Sequence, residues 1–290
     1  MTKIKFLTDS ASDIPDEQLA RHGIEMLCIP IAVDGVGYFD RKSFSSEEYL
    51  SIVQNAKEIP VTSKISEREY LENFKRLFGE GYTDVITVTI SSTGSGTYDS
   101  AQLARQNFYE ENPAAKETFN IHVLDSRSYS IGYGHPVIEA AKMAEGNKPV
   151  AEILTYLEDW FNTVEIYLGV YALEHLKKSG RVNGMGAFVG ELLGIRPIMS
   201  IIQGVAKVMD KVRGDKNVVP RLLEAFKKNC SNLSAPVFVM QGADKLRAKE
   251  LAALIQKEIG RAVPIFTAGA AIVTNTGPRP VAVVFQGHKK

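Results

Sequence analysis

The chain has little from which to build covalent or metal staples. Its 290 residues include only two cysteines, Cys28 and Cys230, far apart and without partners at metal-ligand spacing. That excludes a disulfide framework and a zinc site, and both thiols are expected to be buried. Net charge is also lacking: 34 Lys and Arg balance 34 Asp and Glu. No overall field therefore draws the protein to nucleic acid or to an anionic membrane surface. No apolar run approaches the roughly 18 residues of a membrane span. The opening "MTKIKFLTDS" enters a strand-like run without the apolar core of a signal peptide, so a soluble, cytoplasmic protein is expected. Internal repeats, low-complexity tracts and heptads are absent. The five histidines (His22, His122, His135, His175 and His288) are scattered, none beside another at metal spacing. Each is expected to be structural or solvated, and no metal site is expected. A small molecule is the partner these absences leave.

What is present alternates short apolar runs with amphipathic segments, the pattern of a parallel sheet with crossover helices. Three units stand out in the first half. Lys3–Leu7 leads into "TDSASD", Val85–Ile90 into "SSTGSG", and Ile121–Leu124 into "DSRSYSIGYG". Helical patterns follow at Pro15–Arg21, Thr97–Phe108 and Ile131–Glu145. In open α/β sheets ligands sit beyond the carboxyl ends of strands, so the three loops point to one crevice. Further helices are expected at Ser45–Ala56 and after Ser66, which has Glu69 three residues on, as in a capping box.

"GNKPVAEI" marks the expected boundary between a first domain, residues 1–148, and a second, residues 149–290. In the second, "RPIMSIIQGVAKVMDKVRG" reads as two strands joined across Gln203 and Gly204. Helices at Asn217–Asn229 and Lys245–Ile259 alternate with strands at Pro236–Met240, Pro264–Thr267 and Val281–Phe285. The expected class is α/β: a parallel-sheet N-terminal domain and a layered α/β or α+β C-terminal domain, with any ligand buried between or within them.

The chemistry is concentrated in the loops. "GSGT" at 94–97 lacks the Lys-Ser or Lys-Thr of a P-loop and the third glycine of a dinucleotide fingerprint. It leaves a helix N-terminus where backbone amides and the hydroxyls of Ser92, Ser95 and Thr97 could donate to an anion, or form an ordinary capped turn. Asp13 is placed to cap the helix that follows Pro15. Asp9 stands at a strand end, to meet a ligand or to tie a loop. "KKSGRV" sets Lys177, Lys178 and Arg181 beside a glycine turn, as a solvated helix end or a docking patch. The apolar residues Met185, Phe188, Val189, Leu192 and Leu193 are candidates for a pocket lining or for plain core. No nucleophile with a base beside it emerges.

"TDSASDIP", "VTS", "ISSTGSGTYDSA", "VLDSRSYSIGYG", "LKKSGRV", "LLGIRPIMSI", "KVRG" and "TNTGP", in this order, resemble the DegV family over nearly the whole chain. These are bacterial proteins that bind long-chain fatty acids, among them the fatty-acid-binding subunits of fatty acid kinase. The resemblance implies a two-domain α/β fold burying an acyl chain. It also implies a carboxylate held by Thr62 and Ser95, with Ser92 as a close second and Gly96 and Asn275 among the carboxylate-binding residues. Asp9, Ser10, Ser63, Asp125 and Ser126 would support the loops, and Arg181 and Arg213 are candidates for docking the kinase subunit or for helping at the transferred phosphate. The protein would then not be an enzyme itself. It would present the carboxylate to an ATP-binding partner, acyl phosphate would form, and phospholipid synthesis would be fed. The bound fatty acid is the ligand, with no other cofactor and no nucleic acid, and with room for transient membrane contact. The chain departs from the family pattern at Asn275, where many members have histidine, at Arg279, at Lys64-Ile65 in place of Gln-Pro, and at Gly94 in place of leucine. Two alternatives remain: a stand-alone phosphotransferase or hydrolase using Asp9 and Asp125, and a lipid carrier or regulator without a kinase.

Overall fold

The fold is taken from a computed structural model describing residues 2–183 and 194–289. Four parallel strands begin it: β1 (Ile4–Asp9) and β2 (Glu25–Leu27), joined later by β6 (Asp84–Thr89) and β7 (Asn120–Asp125), in the order β2-β1-β6-β7. Every residue of β6 is buried, as a central parallel strand covered on both faces requires. The crossovers are α1 (Asp16–Arg21), α3 (Glu67–Gly79) and α4 (Thr97–Glu111). Between α1 and α3 lie β3 (Pro30–Val33), β4 (Val36–Phe39), α2 (Ser46–Asn55) and β5 (Val61–Thr62). The three strands form a small separate sheet, ordered β4-β3-β5.

After α5 (Ile131–Glu145) and α6 (Val150–Phe161) comes a six-stranded mixed sheet. The connection between these two helices holds residues 148 and 149. The strands are β8 (Val164–Gly169), β9 (Ile195–Ile202), β10 (Val205–Arg213), β11 (Phe238–Gln241), β12 (Ile265–Thr267) and β13 (Val281–Gln286). They run in the order β10-β9-β8-β13-β11-β12. Alternation sorts their side chains onto two faces. Ile166, Leu168, Ala282 and Val284 join the core shared with the parallel sheet. Tyr167, Val281, Val283 and Phe285 pack under α8 (Val218–Asn229) and α9 (Lys245–Ile259). Two short helices, α7 (Leu173–Ser179) and α10 (Ala270–Thr276), close the face turned to the parallel sheet.

The tip of the β9–β10 hairpin ties the two sheets together. Gln203 and Gly204 both have positive φ, 50° and 77°, the two-residue turn that suits the twist of paired strands. The Gly204 carbonyl accepts from the Thr93 hydroxyl at 2.5 Å and from the Tyr129 hydroxyl at 3.2 Å. A side chain at Gly204 would strike Ser91, so the approach also depends on glycine.

Asp13 does not cap α1. The cap position is Pro15, without a side-chain bond, and Asp13 itself is buried with φ 53°. Its carboxylate accepts from the Gly269 amide at 3.0 Å and from the Ser130 hydroxyl, joining the first loop to the residue before α10. The thiols of Cys28 and Cys230 are free, and both residues are half-buried rather than buried. Ser66 does cap α3, accepting from the Glu69 amide at 3.2 Å.

Candidate functional site

An apolar cavity lies where the carboxyl ends of β1, β6 and β7 face the six-stranded sheet. Its empty space is about 900 Å³, counted to its open mouth. Ile166, Leu168, Met199, Ile201, Ala206 and Val284 form the sheet wall, and Ala271 and Ile272 of α10 form another. Thr62, Ser63, Ser95, Ser179, Arg181 and Asn275 make one end polar; Tyr129, Ser130 and Thr276 also line the cavity, but their hydroxyls donate to Gly204, Asp13 and Ile272 within the protein. A mostly apolar space with a few placed polar groups is the usual form of a small-molecule site.

The hydroxyls at that end differ in what they have left to give. Thr62, set by its pairing with Ile31 of β3, has no protein partner for its hydroxyl among the described residues. Ser95 belongs to a relay. The Ile65 amide donates to Thr97 Oγ1 at 3.4 Å, and Thr97 Oγ1 lies 2.9 Å from Ser95 Oγ. With Thr97 donating along that relay, the Ser95 hydrogen is free for the cavity. Ser63 lines the cavity too, while its amide is spent on the Pro30 carbonyl.

Ser92 is drawn elsewhere. Its hydroxyl and its amide both donate to the Asp125 carboxylate, the amide at 3.0 Å, and the Arg127 amide joins at 2.9 Å. Asp125 is thus a loop tie, and Ser92 does not line the cavity. Gly96 takes the position before α4, where a side chain would press on the Lys64 Cδ at 3.1 Å. Ser126 is buried, donating to the Ser128 carbonyl at 3.2 Å. Ser10 is buried and accepts from the Ile29 amide at 3.0 Å.

Asp9 is wholly buried beneath the loops. It accepts from the Ala11 amide at 3.1 Å, the Ile90 amide at 2.8 Å and the Tyr133 hydroxyl at 2.5 Å. Its role is to tie strand ends, not to meet a ligand. Desolvation nonetheless raises its pKa to about 6, with those hydrogen bonds pulling the other way. The same burial raises Asp13 to about 7 and Asp40 to about 6. No group of carboxylates, histidines or cysteines able to hold a metal occurs among the described residues.

Arg181 is the cation of the site; the sequence offered it for docking, for help at the transferred phosphate, or as part of a solvated helix end. Nε donates to the Gly94 carbonyl at 2.6 Å. Nη1 donates to the Ser179 carbonyl at 3.0 Å and to Asn275 Oδ1 at 2.9 Å. Nη2 has no protein partner among the described residues, so one edge of the guanidinium stays open to an anion. Asn275 serves mainly to hold it, because its own amide nitrogen donates to the Ala271 carbonyl at 2.7 Å. Arg213 is not brought to the cavity; it is exposed at the end of β10 remote from the hairpin tip. The candidate lining residues Met185, Phe188, Val189, Leu192 and Leu193 lie outside the described residues.

Fold and site together define an α/β protein whose parallel and mixed sheets enclose an apolar cavity with a polar end. The chain belongs to the DegV family: the model of that family, described as "Uncharacterised protein, DegV family", matches residues 3–288. A DegV domain-containing protein of Caldanaerobacter subterraneus is 30% identical over 289 residues, covering 99% of each chain. Among solved structures, a fatty acid binding DegV family protein of Streptococcus agalactiae superimposes with a TM-score of 0.87. It is 26% identical, and the match covers 99% of this chain and 100% of that one. A Thermotoga maritima protein described as revealing fatty acid binding function gives a TM-score of 0.82. Its identity is 25%, again over 99% of this chain and 100% of that one. No helix among the described residues is long and apolar enough to cross a membrane.

Proposed function

We propose that the cavity holds a long-chain fatty acid, with its carboxylate at the Thr62, Ser95 and Arg181 end. The observation that carries this reading is the pairing of a mostly apolar lining with the unspent donors of Thr62, Ser95 and Arg181. Burying the roughly fourteen methylenes of palmitate, at ~0.8 kcal/mol each, favours binding by about 10 kcal/mol before ordering costs. An ionised carboxylate buried without donors would cancel much of that gain. Two hydroxyls and the open edge of a guanidinium meet that need. The fatty acid binding of the Streptococcus agalactiae and Thermotoga maritima relatives supports the same reading.

The finer reading is that the chain presents this carboxylate to a separate ATP-binding kinase subunit. A carboxylate oxygen would attack the γ-phosphorus of ATP. The new O–P bond forms as the bond to the β-phosphate oxygen breaks, and ADP leaves with its electron pair. The partner would supply the nucleotide, its metal ions and charge stabilisation. Acyl phosphate would then enter phospholipid synthesis. Arg213, exposed on β10, is a candidate contact with that partner.

In calorimetric titrations, the Thr62→Ala, Ser95→Ala double variant should bind palmitate about a hundredfold more weakly, since each bond to a charged group is worth about 1.5–3 kcal/mol. Hexadecane-1-thiol, which lacks the charge, should bind both forms alike. Equal palmitate affinity would remove these hydroxyls from the site. For the kinase step, ATP, Mg²⁺ and hydroxylamine should yield acyl hydroxamate from the palmitate-loaded protein only when an ATP-binding subunit is added. Hydroxamate from this chain alone would favour the stand-alone phosphotransferase.

A further inference from the structure

The six-stranded sheet carries a second gathering of charge, on the face turned away from the cavity. Tyr171, two residues beyond β8, belongs to the apolar cluster beneath α8 and α9. Three guanidiniums lie against its ring: the Cζ atoms of Arg247, Arg279 and Arg196 stand 5.2, 5.4 and 5.8 Å from the ring centre. They come from separate parts of the chain. Arg196 alternates with Ile198 on β9 and so shares the α8 and α9 face, Arg247 is in the first turn of α9, and Arg279 lies in the loop between α10 and β13. That loop is held beside α9, because the Gly242 and Ala243 amides donate to the Pro280 and Pro278 carbonyls, both at 2.8 Å.

Two carboxylates answer these three cations. Asp215 accepts from Arg196 Nε at 2.7 Å and pairs with Arg247 Nη2 at 3.5 Å, and Asp244 pairs with Arg247 Nη1. Arg279 has neither an ion pair nor a hydrogen bond among the described residues. One positive charge is therefore left over, in a chain whose formal net charge is zero. Donors are left over as well: the five N–H groups of Arg279, with Arg196 Nη2 and Arg247 Nε, which have no partner among the described residues. Tyr171 adds a hydroxyl. The residue is only 8% exposed, and its oxygen is buried without a hydrogen-bond partner. A buried hydroxyl left in that state destabilises a fold, so an acceptor from outside the chain would relieve it. Burial raises its pKa to about 12 against the pull of the three arginines, so the O–H remains a donor at neutral pH.

We propose that this cluster binds inorganic phosphate or a phosphate monoester, with Arg279, Arg196 Nη2 and the Tyr171 hydroxyl donating to the phosphoryl oxygens. A carboxylate carries one charge and accepts within one plane. Donors that arrive from β9, from the loop before β13 and from the end of β8 approach from several directions, which the tetrahedral oxygens of a dianion can meet. Arg279, exposed and held only by the Tyr171 ring, can close over such a ligand. The site lies on the other face of the sheet from the cavity and does not rest on the fatty acid reading.

The test is calorimetric titration of the full chain with inorganic phosphate at constant ionic strength. One phosphate should bind per chain, with a Kd of about 1 mM or tighter. Tyr171→Phe keeps the ring and removes only the hydroxyl; it should weaken phosphate about tenfold while the protein melts no lower than wild type. Arg279→Ala, at an exposed position, should weaken it at least about tenfold with the melting temperature unchanged. Glycerol 3-phosphate and vesicles of phosphatidic acid in phosphatidylcholine separate the two sources of such a group. Glycerol 3-phosphate bound as tightly as phosphate, without retention on the vesicles, identifies a soluble monoester. Retention on these vesicles but not on phosphatidylcholine alone, lost in Arg279→Ala, identifies a lipid head group. Wild-type protein that takes up none of the three, or uptake that both variants retain in full, would overturn the site.

Discussion

Replacing Ala206 with tryptophan should abolish palmitate uptake while leaving the ligand-free protein as stable as before. Ala206 is a buried residue of β10 on the sheet wall of the cavity, paired with Ile201. An indole there fills space that the acyl chain would need. Displacing about five methylenes forfeits about 4 kcal/mol, a loss of roughly a thousandfold in affinity. Ala206 borders the cavity, so the ring is directed there rather than into the filled core. Calorimetry with palmitate, beside thermal melts without ligand, checks both halves. Undiminished uptake with an intact fold would mean that the chain lies elsewhere.

The second large effect concerns stability against pH. Asp40 is wholly buried just after β4, and neither carboxylate oxygen has a well-formed hydrogen bond. The Ser10 hydroxyl and the amides of Ala270 and Ala271 face it, Asp9 and Asp13 repel it, and the Arg41 guanidinium attracts it. Burial raises its pKa from 3.8 to about 6. The folded state therefore holds this proton more tightly than the unfolded state does. The stabilisation from it is complete below about pH 4 and is lost as pH rises through about 6, at roughly 3 kcal/mol for two pKa units. Asp9 and Asp13, raised to about 6 and about 7, act in the same direction. Urea unfolding of an Asp40→Asn variant should show little gain over wild type at pH 4 and about 3 kcal/mol at pH 8. A gain independent of pH would show that Asp40 does not titrate in this range.

Much of the architecture was legible in the sequence. The three strand-loop-helix units are β1, β6 and β7 with the segments that follow them, and the hairpin across Gln203 and Gly204 is β9–β10. The β3–β4 hairpin went unread although its signal was present. Asp34 and Gly35, both at positive φ, form the tight turn that Asp-Gly between apolar runs announces. Helix α10 gave no such signal. Six of its seven residues are buried, so "AAIVTNT" has no polar face to create a period.

The site was legible only in part, and for a physical reason. Ser92, Ser95 and Thr97 read alike as loop hydroxyls. Only the tertiary fold distinguishes Ser92, spent on Asp125 thirty-three residues away, from Ser95, which pairs with Thr97 at the cavity lining. Arg181 reaches the Gly94 carbonyl across 87 residues and Asn275 across 94, which no local pattern encodes. His175, a lone histidine by spacing, is held to the Thr274 carbonyl of α10 and lines the same small hollow as Arg181.

The most direct measurement is the mass of the purified protein under native and then denaturing conditions, with any released molecule identified. The account predicts one long-chain fatty acid per chain, present natively, released on denaturation, and absent from the Thr62→Ala, Ser95→Ala variant. A native mass equal to the bare chain, with no uptake of added palmitate or oleate, would contradict it.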